Sequence, residues 1–142
     1  MAKNKWRIKE AVKIVEDVAL KAIRTGAEAI LTEAIDEAPV DTGTLRRSGT
    51  VTVGKLPDGE KVYKAAESGT EMKDAFPNKI GKEKAVYISF NTPYAIRQHE
   101  ELDYEHPRGG KAKYLEDPFN RNKEKVIKYA DKQIRKALKD AP

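Results

Sequence analysis

Asp41-Thr42-Gly43 is the first place where this chain could do chemistry. The triplet is the catalytic signature of aspartic proteases, in which two carboxylates about 3 Å apart share one proton because both cannot ionise. One triplet per chain would require a homodimer. The flanks argue against that chemistry. The triplet follows a helical stretch and Pro39 rather than an apolar strand, and it continues Thr44-Leu45-Arg46-Arg47. Two guanidiniums beside such a dyad would favour both carboxylates ionised, the wrong state for sharing a proton. The same residues make a better turn. Asp41 is placed to cap a short turn over 42–47, and Gly43 permits a backbone conformation closed to other residues. Leu45 would anchor the turn in the core, leaving Arg46 and Arg47 to reach a partner or solvent.

A second dense stretch is His99-Glu100-Glu101-x-Asp103-x-Glu105-His106. Its oxygen and nitrogen ligands lack the two-turn histidine spacing of a zinc helix, so it reads as a solvated loop. His99 has two structural alternatives, packing beside Tyr94 or pairing with a carboxylate. With no cysteine there is no thiol nucleophile, thiolate metal site or disulfide framework. Gly109-Gly110 follows no strand and lacks the downstream Lys-Ser/Thr of a phosphate-binding loop. The residues point to no catalysis and no cofactor.

Charge is the third clue. Residues 111–142 hold ten Lys/Arg against five Asp/Glu, while 1–37 hold seven of each and 38–110 eleven of each. The whole net charge of +5 therefore lies in the C-terminal segment. Lys111, Lys113, Arg121, Lys123, Lys125, Lys128, Lys132, Arg135, Lys136 and Lys139 could meet phosphates or an acidic protein ring. The competing reading is a solvated helix face, and no nucleic-acid-binding motif accompanies the charge.

These residues must be positioned by few elements. A helix is expected over 5–37, where Ile8, Val12, Val15, Ala19, Ala22, Ile23, Gly26, Ile30 and Ala34 recur at helical spacing. Pro39 should end it. At about 1.5 Å per residue such a helix overruns a small sheet, so part of its stripe should bury against neighbouring subunits. Residues 48–112 read as strands and loops. Thr50-Val51-Thr52-Val53, Lys61-Val62-Tyr63-Lys64-Ala65 and Ala85-Val86-Tyr87-Ile88-Ser89-Phe90 are the strand candidates, with a turn at Leu56-Pro57-Asp58-Gly59. Residues 94–100 suit a short helix or a further strand. A last helix over 118–139 presents Val126, Ile127, Ala130, Ile134, Ala137 and Leu138 on one face. The expected fold is a single α+β domain over 1–142: long N-terminal helix, small antiparallel sheet, C-terminal helix packed on one face of the sheet. No apolar run approaches the roughly 20 residues of a membrane span, and the charged N-terminus has no signal-peptide core.

Three segments in order resemble the head–tail joining, or neck, family of long-tailed bacteriophages, also labelled tail-component or minor capsid proteins. They are Ala38-Pro39-Val40-Asp41-Thr42-Gly43-Thr44-Leu45-Arg46-Arg47-Ser48, Asn91-Thr92-Pro93-Tyr94-Ala95-Ile96-Arg97-Gln98-His99-Glu100, and Gly109-Gly110-Lys111-Ala112-Lys113-Tyr114-Leu115-Glu116-Asp117-Pro118-Phe119. The chain departs from many relatives, which carry Glu-x-Gly-Thr after the Tyr-Ala segment and then Pro-Phe-Leu-x-Pro. The resemblance implies a non-enzymatic virion protein, assembled in the host cytoplasm. It would form a homo-oligomeric ring at the head–tail junction between connector and tail proteins, with non-specific DNA contact in the channel. It marks Pro39, Asp41, Thr42, Gly43, Leu45, Arg46, Arg47, Ser48, Tyr94, His99, Glu100, Lys113, Tyr114, Leu115 and Pro118 as motif or interface positions. Residues 67–84 and 100–112 are the expected docking loops. The alternative is a small DNA-binding accessory protein that uses the basic C-terminal helix.

Overall fold

The computed structural model describes residues 2–40, 42–72 and 84–141, with side chains from residue 7 onward. The element order is α1 (Ala2–Glu37), α2 (Thr44–Arg47), β1 (Gly49–Val53), α3 (Gly59–Glu67), β2 (Val86–Phe90), α4 (Ala95–Glu100) and α5 (Glu116–Asp140). The helix expected from Lys5 begins at Ala2 and ends where Pro39 requires, with the Ala38 N–H closing on the Ala34 carbonyl at 2.8 Å.

Antiparallel to α1 runs α5, which packs against both α1 and the sheet. The helices approach closely at Gly26, where an added Cβ would lie 2.5 Å from Val126 Cγ1. The α5 helix begins at Glu116 rather than 118, because Glu116 and Asp117 supply the negative first turn that suits a helix N-terminus. Pro118 is buried there.

The sheet is a single antiparallel pair in which Val51 faces Ile88 and Gly49 faces Phe90. Val51, Val86, Ile88 and Phe90 pack on Ala27, Leu31 and Ile35 of α1. The alternate residues carry hydroxyls, and Thr50 Oγ1 meets Ser89 Oγ at 2.8 Å. Strand β1 is buried from end to end.

One expected strand is a helix. Lys61–Ala65 lies inside α3, because the Asp58 carboxylate accepts the backbone N–H groups of Glu60 and Lys61 at 3.2 and 3.3 Å. The expected turn at Leu56–Gly59 is thus a helix start, and Val62 and Ala66, one turn apart, are the buried face of α3. Residues 95–100 settle as helix α4. Asp41 and residues 73–83, the larger part of one expected docking loop, lie outside the described residues.

Candidate functional site

Tyr114 is the pivot of a joint at the C-terminal end of α1. It is 1% exposed, and its hydroxyl donates to the Ala95 carbonyl at 2.8 Å. Its ring meets Phe90 and His99 edge-on, at centroid separations of 5.0 and 5.1 Å. Burial pushes the hydroxyl above the usual phenol range. Ala38, Leu45 and Ala95 complete the cluster, with Phe90 and Leu115 against it. Residues from all three sequence segments therefore share one small core.

Backbone contacts tie the same segments. Val40 N–H donates to the Gly109 carbonyl at 3.2 Å, Lys111 N–H to Glu37 at 2.9 Å and Lys113 N–H to His99 at 2.8 Å. Gly110, at φ +91°, lies so close that a Cβ there would be 2.4 Å from Pro39 Cα. Only glycine fits that crossing, for both its φ and its space.

The signature turn has a different chemistry from the expected one. Arg46 and Arg47 turn back into the fold. Arg46 donates to the carbonyls of Ala38 and Asp36, both at 2.9 Å, at the end of α1. Arg47 donates to Ala66 at 2.8 Å, near the end of α3, and to Thr42 at 3.3 Å. Each guanidinium thus serves one carbonyl in the last turn of a helix, Asp36 of α1 or Ala66 of α3, where intrahelical partners run out. Gly43 sits at φ +85° immediately before α2. Thr42 and Thr44 share a hydroxyl contact at 2.8 Å, and Leu45 is buried as expected. Ser48 is fully buried; it donates to Leu45 O at 2.7 Å and accepts the Asn91 N–H at 3.0 Å. Asn91 in turn donates to Ser48 O at 2.7 Å.

A polar chain runs along the rim. His99 Nε2 accepts the Glu116 N–H at 3.2 Å, so Nδ1 carries the proton it gives to Glu100 at 2.7 Å. Lys113 Nζ donates to the other Glu100 oxygen at 2.5 Å. That bond, then the one from His99, holds the Glu100 carboxyl below the usual range. Glu100 correspondingly raises Lys113. Of the two alternatives for His99, carboxylate pairing is the one realised; its ring partner is Tyr114, not Tyr94. Lys111 pairs with Asp117, and Arg121 with Glu37 at 2.5 Å. Lys111, Lys113 and Arg121 thus act within the joint, whereas Lys123, Lys125, Lys128, Lys132, Lys136 and Lys139 stand exposed along α5.

A cleft of about 400 Å³ opens beside the joint, lined among others by Pro39, Thr44, Tyr94, Gln98, His106 and Arg108. Among the described residues no three His, Cys, Asp or Glu side chains converge as metal ligands. No helix among them is long and apolar enough to cross a membrane. Asn91 and Gly110 open or lie within the second and third sequence segments, but their roles, bonding Ser48 and crossing Pro39, depend on residues distant in the chain and have no local signal. A family model described as "Bacteriophage HK97-gp10, putative tail-component" matches residues 3–117. No curated protein and no solved structure matches the chain.

Proposed function

The chain belongs to the HK97-gp10-like family of bacteriophage tail components, and from that premise we propose that it is a non-enzymatic virion protein completing a ring at the head–tail junction. Its partners are further copies of itself and the connector and tail proteins on either side, around a channel that carries DNA. The observation that carries this reading is the overhang of α1. Helix α5 follows α1 back from Glu37 past Gly26, and its last turns line a cleft with Val18, Lys21 and Ala22. The preceding residues of α1 run on with Ile8 64% and Val12 52% exposed. An apolar stripe left open on so charged a chain suits burial against another protein. The joint would make the opposite end rigid enough to present the signature cleft to a neighbouring ring.

Light scattering on the purified protein over a concentration series tests this reading, alone and then with connector-side and tail-side proteins added. A closed species of several subunits is expected in at least one mixture. A stable dimer, or a monomer that persists with every partner, would overturn it. The exposed lysines of α5 favour the second reading, a DNA-binding accessory protein. That reading requires DNA affinity falling steeply with salt, as release of several counterions dictates.

A further inference from the structure

We propose that a second copy of this chain covers the overhang of α1. The basic, apolar N-terminal end of one copy seats on the acidic, apolar surface formed by α4 and residues 101–105 of the next. This rests on the self-assembly reading above and names the two surfaces that meet.

The surfaces lie at opposite ends of the molecule. Helix α1 has 36 residues, about 54 Å at 1.5 Å per residue. The bonds from Lys111 to Glu37 and from Lys113 to His99 hold α4 and the following loop at its C-terminal end. Their charges are opposite. Over residues 3–13 the chain carries Lys3, Lys5, Arg7, Lys9 and Lys13 against Glu10, and Arg7, Lys9 and Lys13 are exposed. Over residues 95–105 it carries Glu100, Glu101, Asp103 and Glu105 against Arg97. Glu100 is engaged by His99 and Lys113, which leaves three exposed carboxylates facing outward.

Their apolar groups are matched as well. Ile8 and Val12 are one helical turn apart, and the acidic surface exposes Ile96 at 79% and Leu102 at 74%. Each surface thus has two exposed apolar side chains among charges predominantly of one sign, the make-up of an interface with apolar anchors and a polar rim. Two different patches on each copy make the contact heterologous, the type that closes into rings when the rotation permits. With so few apolar side chains per patch, the contact is weak in free solution and depends on salt.

The chain has no cysteine, so the contact can be trapped. A full-length protein carrying Val12→Cys and Leu102→Cys is oxidised at low salt. A ladder of covalent dimers, trimers and higher species is expected, whereas either cysteine alone stops at dimers. Adding Lys9→Glu with Lys13→Glu should slow the ladder about tenfold, the scale of losing a few exposed charge pairs. Adding Glu101→Lys with Asp103→Lys to that chain should restore it, an outcome that a merely misfolded variant cannot produce. A ladder no faster than that of a Leu102→Cys, Ile127→Cys control, or one indifferent to the charge reversals, overturns the proposal. If light scattering still finds a closed species in that case, the ring reading stands and only the contact is wrong. If it finds none, both fall.

Discussion

The two ends of α1 are built on opposite terms. At the C-terminal end, Ala38, Leu45, Ala95 and Tyr114 are closed off from solvent, and two arginines, a serine and an asparagine satisfy buried or half-buried carbonyls. At the N-terminal end the same kind of helical stripe stands open at Ile8 and Val12. The contrast inverts a common expectation. Charged residues of the signature, which read as contacts for a partner, hold the fold together. Apolar residues of the α1 stripe, Ile8 and Val12, stand exposed instead. A guanidinium can hold a fold together because its fixed fork reaches several carbonyls at once. A helix end can meet another molecule where apolar side chains such as these stand exposed.

Substitutions at the joint should cost stability, and substitutions at the overhang should not. The largest effect is expected for Gly110→Ala, which drives a Cβ into Pro39 and imposes φ +91° on alanine. A loss of about 3 kcal/mol in urea unfolding is expected, against about 1–2 kcal/mol for Gly109→Ala, where only the φ is at issue. Equal losses would mean that the crossing is not tight. Next comes Tyr114→Phe, which removes the hydroxyl from the Ala95 carbonyl and should cost about 1–2 kcal/mol. Arg46→Ala should cost about 1 kcal/mol by uncovering the end of α1. If instead it left stability untouched and weakened assembly, the arginine would be a contact residue after all.

At the other end, Ile8→Ser with Val12→Ser should leave unfolding within about 0.5 kcal/mol of the parent while reducing self-association. The smallest effect concerns acid. The Glu100 carboxyl is held low by Lys113 and then by His99. Between its lowered folded value and the ordinary glutamate value, the unfolded chain binds more protons. The contribution is therefore complete above the ordinary glutamate range and disappears as pH falls through the folded value. Unfolding midpoints measured from about pH 6 to about 3 should fall less steeply in Glu100→Gln than in the parent.

Much of this was legible residue by residue. The helical stripe and Pro39 predicted α1 to its last residue, and β-branched alternation predicted Gly49–Val53 and Val86–Phe90 to within one residue. The miss at 61–65 has a local cause. Val62 and Tyr63 carry β propensity, yet Asp58 caps the N–H groups ahead of them and tips the segment into a helix. The joint was legible only as three separate strings. The ties from Gly109 to Val40, Asn91 to Ser48 and Tyr114 to Ala95 each span from 19 to 69 residues of sequence, and pattern along a chain has no term for such pairs.

By itself the sequence determined the period and approximate extent of α1 and α5, the place where α1 must stop, and the segregation of positive charge to the C-terminal segment. Those follow from rotamers, ring closure at proline and composition, all local. Tertiary structure alone decided which cations are spent inside the fold, which glycine admits a crossing chain, and which part of one continuous apolar stripe is covered. The physical reason is packing: α5 covers the stripe around Gly26, whereas Ile8 and Val12 of the same stripe stand exposed, so one run of apolar residues passes from core to open surface.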